Sequence, residues 1–125
     1  MSVSDPTPAL KGLRVLYLED DAIISMSLVE ALQNAGAIVY DRATIDGALS
    51  ALQSGMYDVA LLDVNVGGQM SYEVARAAEA RGIPIVLVTG YGQEGWPPEM
   101  QHHVMCQKPF TLADLIRAIN RALLS

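Results

Sequence analysis

The chain has a single cysteine, Cys106, and is short of basic residues, with 8 Lys and Arg against 14 Asp and Glu in 125 residues. One cysteine excludes an internal disulfide, which suits a reducing cytoplasm. A formal net charge of −6 leaves no basic footprint for a phosphate backbone, so nucleic-acid binding is not expected. No apolar stretch approaches the length of a membrane span. The first ten residues lack both the basic start and the apolar core of a secretory signal. The expectation is therefore a cytoplasmic chain that engages neither membrane nor nucleic acid.

What is present is enough apolar material for a full core, 51% of the residues, in a length that suits one domain. Residues 1–10 are rich in Ser, Asp, Thr and Pro and are expected to form a disordered arm. Residues 11–125 then alternate strand-like and helix-like segments with short connections, the signature of a parallel α/β sheet. No internal repeat and no second domain are visible.

The first helix should be capped by Asp21 and end before Gly36, with Ile24, Leu28, Ala31, Leu32 and Ala35 on its inner face. Ile38-Val39-Tyr40 forms the second strand. Thr44 caps a second helix that turns Ile45, Ala48, Leu49 and Leu52 inward. Ser71 caps a third, with Val74, Ala75 and Ala78 inward, closed by Gly82. Thr111 to Asp114 opens the last helix as a capping box with Asp in place of Glu. Leu112, Leu115, Ile116, Ile119 and Leu123 are its expected buried stripe. Between Thr89 and Lys108 the alternation asks for one more helix. Three glycines and two prolines in Gly90–Pro98 oppose it, so a mobile loop is expected there, with at most a turn or two from Pro98 to about His103.

Four apolar runs end in polar groups. Val15-Leu16-Tyr17-Leu18 leads into Glu19-Asp20-Asp21. Val59-Ala60-Leu61-Leu62 ends in Asp63, followed by Val64-Asn65-Val66-Gly67-Gly68. Ile85-Val86-Leu87-Val88 ends in Thr89-Gly90. Val104-Met105-Cys106 leads into Lys108-Pro109-Phe110. In an open parallel sheet the carboxyl ends of the strands share one edge, where ligands bind. Carboxylates, a hydroxyl and a lysine gathered there suit magnesium-dependent phosphoryl chemistry.

Each part taken alone has an ordinary explanation. Asp20 or Asp21 read alone is a helix cap. Yet adjacent carboxylates repel unless a cation or a proton intervenes, and Mg²⁺ with oxygen ligands is the natural solution. Asp63 is either a turn aspartate before Gly67-Gly68 or a nucleophile that forms an acyl phosphate. Thr89 is an ordinary strand end or a donor to a phosphoryl oxygen. Lys108 is a solvated lysine or a point charge against that oxygen. Lys108-Pro109 is a bond that can be cis. His102-His103 has no third ligand at metal spacing and suggests a solvated loop pair. Cys106 is expected buried and inert. Met56, Met70 and Met100 suggest packing or surface.

The joint order is what carries information. An acidic pair, an Asp, a Thr and a Lys-Pro-Phe, each closing its own apolar run, resembles the response-regulator receiver family of two-component signalling. The similarity runs over about residues 12–124. It implies a flavodoxin-like, doubly wound, five-stranded parallel sheet of order 2-1-3-4-5 with a shortened or disordered fourth helix. It implies that Asp63 is the phosphoacceptor and that Asp20 and Asp63 bind Mg²⁺. Glu19 would act through water and Asn65 would offer its backbone carbonyl to the same ion, while Thr89 and Lys108 would bind the phosphoryl group.

It implies a histidine kinase or phosphotransfer protein as phosphodonor, and a monomer or weak dimer. The chemistry would be self-catalysed transfer and dephosphorylation, not ordinary enzyme turnover. Its output would pass by conformational change to a protein partner, or the chain would act as a phosphate sink or as a piece of a larger protein. The chain departs from the family at Met105, where an aromatic switch residue usually stands three positions before the lysine. Thr89-Gly90-Tyr91 is similar to a receiver subgroup with a Thr-Gly-aromatic segment and makes Tyr91 the switch candidate. Two alternatives stand beside this. A haloacid-dehalogenase-like phosphatase also uses Asp, Lys and Mg²⁺, but it needs a second Asp where Asn65 stands. A degenerate receiver would serve only as a scaffold.

Overall fold

The computed structural model describes residues 9–90 and 95–124. Tyr91, the switch candidate, and its neighbours up to residue 94 lie outside the described residues, as do residues 1–8 of the expected arm. Leu10, which the sequence places in that arm, is instead core. It is buried, and its N–H donates to the Ala35 carbonyl at 2.8 Å. The apolar side chain packs in one cluster with Leu32 and Ala37 at the end of the first helix, so the fold begins earlier than the composition suggests.

Strands β1 (Arg14–Leu18), β2 (Ile38–Arg42) and β3 (Val59–Asp63) alternate with helices α1 (Ala22–Asn34) and α2 (Ile45–Ser54). Two short strands, β4 (Asn65–Val66) and β5 (Gln69–Met70), precede α3 (Tyr72–Ala80). Then follow β6 (Ile85–Thr89), a 3₁₀ turn (Pro98–Met100), β7 (Val104–Gln107) and α4 (Leu112–Leu124). The main sheet has five parallel strands in the order β2-β1-β3-β6-β7, as expected for a doubly wound fold. The chain reverses direction of growth between β1 and β3, and the two strands end side by side at Leu18 and Leu62.

Successive residues of a strand face opposite sides of the sheet, and both sides are covered here. Val15, Tyr17, Val59, Leu61, Val86 and Val88 pack with α1 and α4 on one side. Leu16, Leu18, Ala60, Leu62, Ile85 and Leu87 pack with α2 and α3 on the other, joined by Trp96 and Met100. The strands therefore appear as unbroken apolar runs in the sequence. Arg14 and Asp58 clasp the amino-terminal edge, since Arg14 N donates to Asp58 Oδ2 at 2.8 Å and the side chains form an ion pair.

The expected caps at Asp21, Thr44 and Thr111 form. Asp21 Oδ1 accepts from Ile23 N and Ile24 N, and Thr44 Oγ1 accepts from Gly47 N. Thr111 and Asp114 exchange hydrogen bonds reciprocally. Ser71 does not cap α3; its hydroxyl is drawn elsewhere, as described below. Two helical faces are rotated from expectation. On α1, Ser25 is buried and Ile24 is exposed. On α4 the buried stripe is Leu115, Ala118, Ile119 and Ala122, with Leu112 and Leu123 exposed. Ser25, Ala118 and Ala122 share the inner faces with Leu32, Leu115 and Ile119, while Ile24, Leu112 and Leu123 are left at the margins.

The position of the missing helix holds only the 3₁₀ turn among the described residues. It lies along α3, where Arg76 pairs with Glu99 at 2.8 Å and Glu79 approaches His103 at 2.9 Å. Strands β4 and β5 form a small antiparallel ribbon turned by Gly67 and Gly68, whose φ values of 59° and 81° favour glycine. The ribbon was not expected, although a Gly-Gly pair flanked by apolar residues is a hairpin signal. Among the described residues no helix is long and apolar enough to cross a membrane.

Candidate functional site

The polar residues that end β1, β3 and β6, with Lys108 just after β7, meet at one edge of the sheet. Glu19 and Asp63 are 4% and 7% exposed, and Thr89 is equally buried. Asp20 is exposed, and its Oδ2 accepts from the Gly67 N–H at 2.8 Å, so the glycine turn holds it over the site. Asn65 N donates to Asp63 Oδ1 at 3.1 Å. Lys108 Nζ donates to Asp63 Oδ2 at 3.0 Å and to Glu19 Oε1 at 3.3 Å. The other Glu19 oxygen accepts from Asp21 N. The structure thus brings together Glu19, Asp20, Asp63, Asn65, Thr89 and Lys108 as the strand ends suggest. The Lys108-Pro109 bond is cis.

Lys108 reaches Asp63 across the end of β6, because β6 lies between β3 and β7. Its own N–H donates to the Thr89 carbonyl at 2.7 Å. Two interactions therefore fix the lysine: its backbone on Thr89 and its ammonium on the carboxylates. Beside them opens a cleft of about 470 Å³ lined by Asp63, Asn65, Tyr72, Thr89, Trp96 and Lys108.

Charge is unevenly distributed in the site. Burial pushes the Glu19 carboxyl above its usual range, and the Asp63 charge adds to this, while the Asp21 N–H and Lys108 oppose it. The hydrogen bond from Gly67 holds Asp20 below its usual range. Burial draws the Lys108 ammonium down, but its bond to Asp63 and the charges of Asp63 and Glu19 outweigh this and raise it. Oxygens from Glu19, Asp20 and Asp63 lie within 4.8 Å of one another. A cluster of hard oxygen donors with one exposed member fits Mg²⁺, which keeps part of its water shell.

Two contributors have no mark in the sequence. Ser71 is fully buried, and its Oγ donates to the Asp63 backbone carbonyl while its N–H donates to Val64 O. It anchors the peptide of Asp63, and no local pattern announces this. Trp96 is buried in the core and also lines the cleft. Met105, at the usual aromatic position, is partly buried against the same cluster. Burial raises the Cys106 thiol, in keeping with an inert role.

No family model matches the chain. The transcriptional regulatory protein PdtaR of Mycobacterium tuberculosis is 31% identical over 114 residues, which cover 87% of this chain and 56% of PdtaR. The chain thus spans about half the length of the curated relatives it matches. Among solved structures, SdrG from Sphingomonas melonis is 34% identical with a TM-score of 0.73, covering 94% of this chain and 98% of SdrG. The response regulator TrrA from Thermotoga maritima, solved in complex with Mg²⁺ and BeF, is 25% identical with a TM-score of 0.78, covering 89% of this chain and 99% of TrrA. Similarity of this extent, over a sheet of the same order and the acidic strand ends, settles the kinship: the chain belongs to the response-regulator receiver family.

Proposed function

We propose that Asp63 accepts a phosphoryl group from a phosphohistidine on a histidine kinase or phosphotransfer protein, and that the resulting change at Thr89 and Lys108 is passed to a protein partner. The observation that carries this reading is the double contact of Lys108 with Asp63 and Glu19 at the carboxyl edge of the sheet. An Asp63 oxygen forms a bond to phosphorus as the P–N bond of the phosphoimidazole breaks, and the imidazole leaves with the bonding electrons. Glu19, Asp20 and Asp63 would hold Mg²⁺, with Glu19 acting through water and Asn65 offering its carbonyl. When bound, the ion offsets the repulsion between the anionic carboxylate and the anionic phosphoryl group.

Lys108 must exchange its contact with Asp63 for one with a phosphoryl oxygen, and the Thr89 hydroxyl supplies a second donor. Lys108 N–H is bonded to Thr89 O, so a shift at one residue is felt at the other. Tyr91 follows two residues later and would be the aromatic that responds. The kinship with TrrA, seen with Mg²⁺ and BeF, supports both the metal and the phosphoryl reading.

A macromolecular phosphodonor needs a seat beside Asp63. The start of α1 presents Ile23, 81% exposed, and Met26, 72% exposed, within a few residues of Asp20. Large exposed apolar side chains next to a reactive centre are a reason to expect protein contact there.

Incubation with acetyl phosphate and Mg²⁺ followed by intact mass tests the reading. One added phosphoryl group, lost in Asp63→Asn, is the expected result. Steady release of inorganic phosphate would instead favour a phosphatase, and no modification would favour a scaffold.

A further inference from the structure

The pair His102-His103 has a third neighbour that the sequence does not show. Glu79, one residue before the end of α3, brings its Oε2 to 2.9 Å from His103 Nε2 and 3.5 Å from His102 Nε2. One ligand atom from each of the three residues lies within 4.8 Å of the others. The two imidazoles lie 4.1 Å apart, tilted by 38°, so consecutive residues send their ring nitrogens to the same point.

His103 supplies an independent sign. Its side chain is only 9% exposed, and among the described residues its Nε2 has no polar contact besides the Glu79 carboxylate. Its close neighbour is the Glu79 oxygen at 2.9 Å. A buried ring nitrogen turned toward a carboxylate and a second imidazole, with no ordinary hydrogen-bond network around it, suits a bound cation. The residues beside it, Ile83, Pro84, Ile85 and Val104, form a groove of about 360 Å³ at the amino-terminal ends of β6 and β7. This is the end of the sheet opposite Asp63.

We propose that Glu79, His102 and His103 form a second metal site, for a borderline divalent transition-metal ion, with Zn²⁺ as the expected occupant. Two imidazoles and one carboxylate are the donors such ions take, with a water in the fourth position. Mg²⁺ is not expected there, because it prefers oxygen ligands alone. Burial, and secondarily the charge of His102, hold the His103 imidazole below its ordinary pKa while Glu79 opposes this. The ion would tie α3 to the entry of β7, a link that Arg76 and Glu99 already make one turn away. The site stands independently of the phosphoacceptor reading.

The test uses the whole chain with saturating Mg²⁺, so that the acidic cluster is occupied. Titration with Zn²⁺ should show one ion per chain, a rise in unfolding temperature and shifts of both His resonances. Co²⁺ should give the intense visible absorption of a tetrahedral site in place of the weak band of an octahedral one. His102→Ala removes a side chain that is 60% exposed, so the fold is not at risk. It should weaken Zn²⁺ by more than roughly tenfold, and Glu79→Gln should do the same. Acetyl phosphate labelling of His102→Ala should match the wild type. No saturable Zn²⁺ binding in the presence of Mg²⁺, or unchanged affinity in the double variant His102→Ala/Glu79→Gln, would overturn the proposal and leave Glu79 as a counter-charge to the two histidines.

Discussion

The ammonium of Lys108 rests 3.0 Å from the Asp63 carboxylate, across the end of the intervening strand β6. The contact joins residues 45 positions apart and shares its charge with Glu19. Under the proposed function this ion pair would open when Lys108 takes hold of a phosphoryl group, which would link the chemistry of the site to its shape.

Lys108→Ala should therefore remain phosphorylatable by acetyl phosphate, since the nucleophile and the metal ligands are kept. It should lose most of the conformational response. Amide spectra of wild type and variant, recorded with and without a beryllofluoride mimic, check this. Identical shifts in both would contradict the coupling.

Asp20 is exposed and bonded to the glycine turn, so Asp20→Asn should fold normally. Removing one negative ligand should weaken Mg²⁺ by roughly tenfold or more and slow labelling of Asp63. A Mg²⁺ titration that gave the wild-type affinity would refute Asp20 as a ligand.

The raised carboxyl of Glu19 sets a pH slope. In the metal-free native state Glu19 holds its proton to higher pH than in the unfolded chain. The native state therefore binds more protons in the window between the ordinary glutamate range and the raised value, and stability falls as pH rises through it. Asp20 and Asp58, both lowered, act in the opposite sense at lower pH, where their contributions vanish as the solution acidifies. Urea midpoints of wild type and Glu19→Gln across weakly acidic pH should converge below the window and diverge above it, with the variant the more stable. Parallel curves would show that Glu19 titrates normally.

Ser71→Ala should cost about 1–3 kcal/mol, because it leaves the buried Asp63 carbonyl with one partner fewer. Labelling should slow as well, since the peptide that carries the nucleophile loses its anchor. Chemical unfolding and a labelling time course measure the two effects, and an unchanged midpoint would remove Ser71 from the site's support.

Ile23→Ser should leave stability within about 0.5 kcal/mol of the wild type, as expected for an exposed position. Acetyl phosphate should label it at the wild-type rate, while transfer from a phosphorylated histidine kinase that serves the wild type should slow several-fold. Equal slowing with both donors would point to damage at the site itself, and no slowing with either would remove the start of α1 from the docking surface.

The amino-acid sequence determined the features that depend on neighbours along the chain. Apolar runs ending in Asp63, Thr89 and Glu19 announce strands and their outlets, because a strand covered on both faces needs little polar material until it leaves the sheet. The caps at Asp21, Thr44 and Thr111 were legible because each bond spans two or three residues. The glycines and prolines after Thr89 ruled out a full helix by local backbone chemistry. Tertiary structure decided what depends on how elements are placed. Ile24 and Leu112 face outward because the packing of α1 and α4 turns Ser25 and Leu32, and Leu115, Ala118, Ile119 and Ala122, to the sheet. Ser71 serves as an anchor and not as a helix cap because the fold sets its hydroxyl against the Asp63 carbonyl, eight positions back. Glu79 came to the two histidines, more than twenty positions on, because α3 and the turn before β7 lie side by side. Contacts of that separation are fixed by packing angles between finished elements, and periodicity along one chain does not encode those angles.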